Sequence, residues 1–166
     1  MSLPSQILSL TIEADDPVGE TARKLIHDLC EEMSGRYGTP PSPFSPSEAS
    51  APRSVFLMAR MGGDPVGCGA LRQFDEGAAE IKRMYVAPAG RRRGIARKIL
   101  AELERLAREF GYGSIRLETG IRQPEAQQLY ESMGFRRIPA FGPYVEIPRA
   151  FALRKRFATR RLNFHP

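Results

Sequence analysis

Arg91, Arg92 and Arg93 stand in a row, followed by Gly94 and then by Ile95, Ile99, Leu103, Leu106 and Phe110 at helical spacing. Three like charges repel, and a turn into a helix does not need them, so their natural partner is an anion. The first four N–H groups of a helix lack internal acceptors, and the helix dipole adds partial positive charge there. A glycine-containing loop entering such a helix is an anion site. Gly94 admits a ligand close to the backbone, and the guanidinium groups can fork onto phosphate oxygens. The alternative is an ordinary solvated basic turn. No G-x-G-x-x-G is present. Gly62 and Gly67 have P-loop spacing, but Cys68 stands where the lysine belongs, so ATP and NAD have no support.

Two more side chains could move protons. Tyr130 shares a short apolar face with Ala126, Leu129 and Met133, and by its pattern alone it is a core tyrosine. Glu80 lies in an expected strand, Ala78–Val86, on the same face as Lys82. It is either a carboxylate whose pKa burial raises, fit for a base, or the ion-pair partner of Lys82, or of Arg83 after a bulge. Cys30 and Cys68 form no CxxC pair and are expected to be reduced thiols. His27 and His165 are far apart, and no metal is expected.

The elements that must position these groups follow from pattern and punctuation. Ile7–Ile12 is an expected strand. Asp15 or Asp16 then caps a helix with Pro17 in its first turn, carrying Ala22, Leu25, Ile26, Leu29 and Met33 inward and ending at Gly35. Gly38–Pro52 is a loop rich in proline and serine, a possible lid. Two apolar runs, SVFLMARM and VGCGALRQF, flank GGDP as a hairpin, and Glu76-Gly77 turns into Ala78–Val86. The helix after the arginines runs to about Phe110, where Gly111 and Gly113 stop it. SIRLET is a strand, Pro124 opens a short helix closed by Gly134, and FRRIP and AFALRKRF are two last strands. The order is β-α-loop-β-β-β-α-β-α-β-β, a mixed, mostly antiparallel α/β sheet flanked by helices. The 166 residues read as one domain, with 154–166 as a basic last strand and tail.

EIKRMYVAPAGRRRGIARKIL followed by EAQQLYESMGF resembles the GNAT superfamily of N-acetyltransferases. That family's pyrophosphate loop reads Gln/Arg-x-x-Gly-x-Gly/Ala, matched by Arg91, Gly94 and Ala96, with Val86 and Pro88 before it. Its second block reads Asn-x-x-Ala-x-x-Leu-Tyr-x-x-x-Gly-Phe, matched by Ala126, Leu129, Tyr130, Gly134 and Phe135, with Gln123 in place of the asparagine. The resemblance covers roughly residues 54–138, and the rest through element order. It implies acetyl-CoA as co-substrate, held by Met84, Tyr85, Val86, Arg91, Arg92, Arg93, Gly94, Ile95, Ala96 and Gln123. It also implies a fourth strand that bulges and splays from the fifth, Tyr130 as the acid for the leaving sulfur and Glu80 as the base.

The expected reaction is acetyl transfer to the primary amine of a small molecule. A protein or peptide acceptor, or a catalytically silent acyl-CoA sensor, is the alternative. The acceptor is expected against residues 20–52 and AFGPYVEIP, with Tyr85, Glu118 and Tyr144 lining it and Glu31, Glu32, Glu118 and Glu146 attracting a cationic amine. A net charge of +6 suits an anionic partner. The tail LRKRFATRRLNFHP could lie on nucleic acid, but a last strand with a solvated end is the preferred reading. MSLPSQILSL has neither a basic n-region nor a long apolar run, so a cytoplasmic protein outside the membrane is expected; a homodimer would suit the family.

Overall fold

A computed structural model describes residues 8–41, 45–148 and 150–158. One seven-stranded sheet runs β1-β2-β3-β4-β5-β7-β6. The strands are β1 Leu10–Ala14, β2 Val55–Met61, β3 Asp64–Gln73, β4 Ala78–Val86, β5 Ser114–Gly120, β6 Arg136–Ile138 and β7 Ala150–Arg156. Every neighbouring pair is antiparallel except β4 and β5. The helices are α1 Glu20–Tyr37, α2 Ile95–Glu109 and α3 Pro124–Ser132. The mixed sheet and the order of elements are those expected, with short 3-10 turns added at Pro46–Ser50, Pro88–Gly90 and Gly142–Glu146. Among the described residues, no helix is long and apolar enough to cross a membrane.

Strand alternation sorts the core into two layers. Leu57 and Ala59 on β2 join Leu71 on β3 beneath Ile95, Ile99, Leu100 and Leu103 of α2. Phe56, Met58, Cys68 and Ala70 point the other way, to Ala22, Leu25, Leu29 and Met33 of α1. Burial among these apolar groups pushes the Cys68 thiol up to about 12, so it is an inert core residue.

Some boundaries differ from those expected. β1 begins at Leu10 and extends to Ala14; Ile7 lies outside the described residues. Asp15 and Asp16 precede α1 without capping it. The Asp16 carboxylate accepts from the Val18 N–H at 3.0 Å in a turn, and Gly19 is the N-cap. α1 passes through Gly35 and ends at Gly38, whose φ of 72° makes it the C-terminal glycine. The β2–β3 turn uses only Gly62 and Gly63, at φ 58° and 89°, while Asp64 and Pro65 already belong to β3. Of the basic tail, 159–166 lies outside the described residues, with His165 and Phe164 in it.

The feature that opens the site is in β4. Cys68 pairs with Tyr85 but Ala70 pairs with Lys82, so Gly69 faces the bulged pair Arg83 and Met84, with Arg83 at φ 56°. A Cβ on Gly69 would lie 2.8 Å from the Met84 sulfur and 2.9 Å from Ile99. Only glycine there lets the bulge and α2 close on the same strand.

Candidate active site

β4 and β5 pair only through Ala78–Glu80 and Ser114–Arg116. Beyond that short ladder they splay, and Ile81–Met84 and Leu117–Gly120 become opposite walls of a gap. The gap holds two cavities. A groove of about 740 Å³ is lined by Met84, Tyr85 and Val86, by Arg91, Arg92, Gly94, Ile95 and Ala96, and by Gln123 and neighbouring residues of α3. A smaller cavity of about 210 Å³ lies between α1, β4, β5 and the turn holding Tyr144. Leu29, Met33, Met84, Gln123 and Tyr130 line both.

The groove's mouth is the arginine loop. Gly94 is the N-cap of α2 at φ 73°, no side chain caps the helix, and its first turn carries no acidic residue. The amides of that turn therefore have no carboxylate of their own element to satisfy them. Arg91 donates to the Val86 carbonyl at 2.9 Å and to Glu32 of α1 at 2.6 Å, and Glu32 also takes Arg36 at 3.0 Å. The anion now at the loop is thus the chain's own carboxylate. Arg93 turns away: its Nη1 lies 3.7 Å from the Met61 sulfur, and it does not line the groove. Gln123, in the place of the family's asparagine, accepts from the Gly120 N–H at 3.0 Å and so closes the turn from β5 to α3.

Tyr130 sits where the two cavities meet. It is buried, and its ring packs on Phe135 with centroids 5.8 Å apart. Burial, and after it the Glu118 carboxylate, push its hydroxyl pKa up, so it is held protonated.

Glu80 is placed differently from what a base requires. It is 0 % exposed and lines neither cavity. One oxygen accepts from Arg72 Nε at 3.1 Å and Nη2 at 2.6 Å; the other accepts from the Tyr144 hydroxyl at 2.6 Å, with the Lys82 ammonium at 3.7 Å. The ion-pair reading describes this geometry, with Arg72 the main partner rather than Lys82 or Arg83, because Arg72 is directly opposite Glu80 in the β3–β4 register.

The acceptor-side expectations separate cleanly. Glu118 and Tyr144 line the smaller cavity; Tyr85 lines the groove instead. Glu32 belongs to the groove, and Glu31 and Glu146 are exposed and line neither. Lys82 lines the smaller cavity while donating to the Tyr144 hydroxyl, and burial pushes its pKa down. Burial pushes Glu118 up, opposed by Lys82 and reinforced by Glu80. Sequence reasoning did not place Lys82, Arg83 or Tyr37 in this wall. Strand parity carried a signal for Lys82, two residues from Glu80; nothing local marked Tyr37. From the long loop, Thr39–Pro41 form part of the rim; residues 42–44 lie outside the described residues.

The sheet is thus parted between two parallel strands, with an uncapped helix N-terminus at the mouth of the gap. The family model for the "Acetyltransferase (GNAT) family" matches residues 22–135. An "IAA acetyltransferase" of Azospirillum brasilense is 33% identical over 149 residues, 89% of this chain and 97% of that protein. A solved structure from Klebsiella pneumoniae, provisionally assigned as an acyl-CoA N-acyltransferase, has a TM-score of 0.75 at 32% identity, covering 89% of this chain and 97% of that one. A GNAT-family structure from Elizabethkingia anophelis with acetyl-CoA bound shares the fold, with a TM-score of 0.65 at 20% identity over 89% of this chain and 98% of that one. The chain belongs to the GNAT family of acetyltransferases, and acetyl transfer is its class of reaction.

Proposed function

We propose that the chain moves an acetyl group from acetyl-CoA to the primary amine of a small molecule, by direct attack with both substrates bound. The observation that carries this reading is the meeting of the two cavities at Tyr130 and Met84. The residues present fit coenzyme A. The uncapped turn of α2 and Arg91 and Arg92 suit its phosphates, and the β4 edge beyond Glu80, unladdered by β5, suits its amide-bearing arm. When bound, acetyl-CoA supplies a thioester, whose carbonyl is the electrophile.

Tyr130 donates a proton to the leaving sulfur. A backbone N–H at the splayed end of β4, near Met84, donates to the carbonyl oxygen as negative charge develops on it. Glu80 is a positioning residue: it fixes the Tyr144 hydroxyl and, through it, Lys82. A cavity of about 210 Å³, rimmed by Thr39–Pro41, favours a small acceptor over a peptide.

The test is calorimetric titration with acetyl-CoA, with ATP and single-stranded DNA as controls, followed by release of free thiol over a panel of amines. Saturable one-site binding of acetyl-CoA alone, with turnover, is expected. Binding without turnover on any amine makes the chain an acyl-CoA-binding protein. Salt-sensitive DNA binding without acetyl-CoA binding overturns the reading.

A further inference from the structure

We propose that the acceptor is an α-amino carboxylate, held with its carboxylate at Lys82 and Arg83 on β4 and its amine at Glu118 on β5. This rests on the acetyltransferase reading above. Among the described residues lining the smaller cavity, these three alone carry formal charge. Their placement follows from register. Glu80 pairs with Arg116 across the last rung of the β4–β5 ladder. Two residues further on each strand come Lys82 and Glu118, on the same sheet face and on opposite sides of the splay. The Lys82 and Glu118 charges act on each other across it.

The cations stand on one wall and the carboxylate on the other. A molecule carrying both signs a few ångströms apart satisfies both walls; a diamine would set a cation against Lys82 and Arg83. Glu80 is already shared between Arg72 and Lys82, so a substrate carboxylate adds a second anion to that wall. Glu118 lines the same cavity as Tyr130, which lines both, so the amine end of the acceptor lies toward the junction of the cavities. The rest of the lining sets Leu29, Met33, Ile81 and Leu117 beside the hydroxyls of Tyr37, Thr39 and Thr119, and its small volume suits a compact side chain.

The step balances. Glu118 takes one proton from the substrate ammonium. The freed nitrogen lone pair attacks the acetyl carbon; the C–N bond forms and the C–S bond breaks. The sulfur leaves with the Tyr130 proton, the second nitrogen proton restores Tyr130, and Glu118 gives its proton to water. The products are the N-acetyl amino acid, free thiol and one proton.

The experiment compares kcat and KM for matched triplets: an amino acid, its carboxamide and its decarboxylated amine. The amino acids should span acidic, basic, aliphatic and aromatic side chains. At least one amino acid should exceed its two partners by about 30-fold or more in kcat/KM, the size of one charge-assisted contact. Lys82→Met should erase that preference through KM, Lys82→Arg should restore most of it, and Glu118→Gln should lower kcat. Calorimetric acetyl-CoA affinity should hold within about twofold in all three variants, which also shows that they fold. Equal or better turnover of the decarboxylated amines overturns the proposal, as does a preference that survives Lys82→Met. A protein that binds acetyl-CoA but acetylates no amino acid in the set also overturns it and leaves the cofactor reading intact. Failure to bind acetyl-CoA sinks that earlier reading instead.

Discussion

The groove at the start of α2 is lined by Met84 to Arg97, by α3 and by Leu29, Glu32, Met33 and Arg36 of α1, and much of what its mouth offers is main chain: uncapped amides and the free edge of β4. The cavity beyond Tyr130 is built from side chains on α1, β4, β5 and two connecting turns. A main-chain site tolerates changes of side chain but not of backbone conformation. A side-chain site is the reverse, and each of its groups depends on neighbours far away in sequence. On the proposed reading, one molecule keeps a fixed donor site beside an acceptor site that a few substitutions could retune.

Replacing Tyr130 by Phe tests the point where the two meet. The kcat should fall by about 10²- to 10⁴-fold, the range for a lost proton donor, with acetyl-CoA affinity unchanged; an unaltered kcat removes Tyr130 from the chemistry. Gly94→Asp attacks the groove alone. It puts a side chain at φ 73° and a negative charge at the helix N-terminus, and calorimetry should show a loss of about 100-fold in acetyl-CoA affinity. Wild-type affinity would dissolve the idea that backbone conformation makes this site. Glu80→Ala attacks the side-chain region. It leaves buried Lys82 without its carboxylate and half-buried Arg72 with only Glu48 at 3.5 Å, and urea unfolding should show a loss of about 3 kcal/mol; a loss under about 1 kcal/mol would mean the network is not structural.

Two smaller effects sharpen the contrast. Glu118 ionises above the usual carboxylate range because burial raises it, with Lys82, Glu80 and Tyr130 the titratable groups that act with it. A base works ionised, so acceptor kcat/KM should fall as pH drops through that raised value. Taking the ratio to Glu118→Gln at each pH cancels the titration of the amine, and a flat ratio would deny the role. Glu32→Gln should tighten acetyl-CoA by a few-fold, because it frees Arg91 from its present anion. Weaker binding would show that Glu32 serves the cofactor by placing Arg91.

The sequence disclosed these regions unequally, for the same reason. The arginine loop, Gly94 and the Tyr130 block are contiguous motifs, so the family resemblance could be read from them directly. The element order was legible because aliphatic alternation in β2 and β3 and helical spacing in α2 are strong local signals. The end of α1 was misjudged because Gly35, a weak helix former, was outweighed by packing on both sides, and Gly38 supplied the left-handed stop. Arg72 escaped notice because its link to Glu80 is set by the β3–β4 register, which no local pattern encodes. Tyr37 was equally silent: its hydroxyl accepts from the Arg122 N–H and packs where a Cβ on Gly120 would lie 1.9 Å away, and that fit exists only after folding.

The short ladder between β4 and β5 has a mechanical meaning. Three residue pairs join the β1–β4 meander to the β5–β7–β6 group, with α2 bridging the two from one face. Read as opening equilibria, the amides of β4 and β5 that face the gap should exchange with deuterium far ahead of those in the flanking antiparallel ladders. On the proposed reading, a ligand arm laid along the β4 edge would take the place of the missing rungs. Loading the donor should then slow exchange on both sides of the seam at once, stiffening the sheet from its middle outward, and the acceptor would meet walls already braced by the first substrate to arrive.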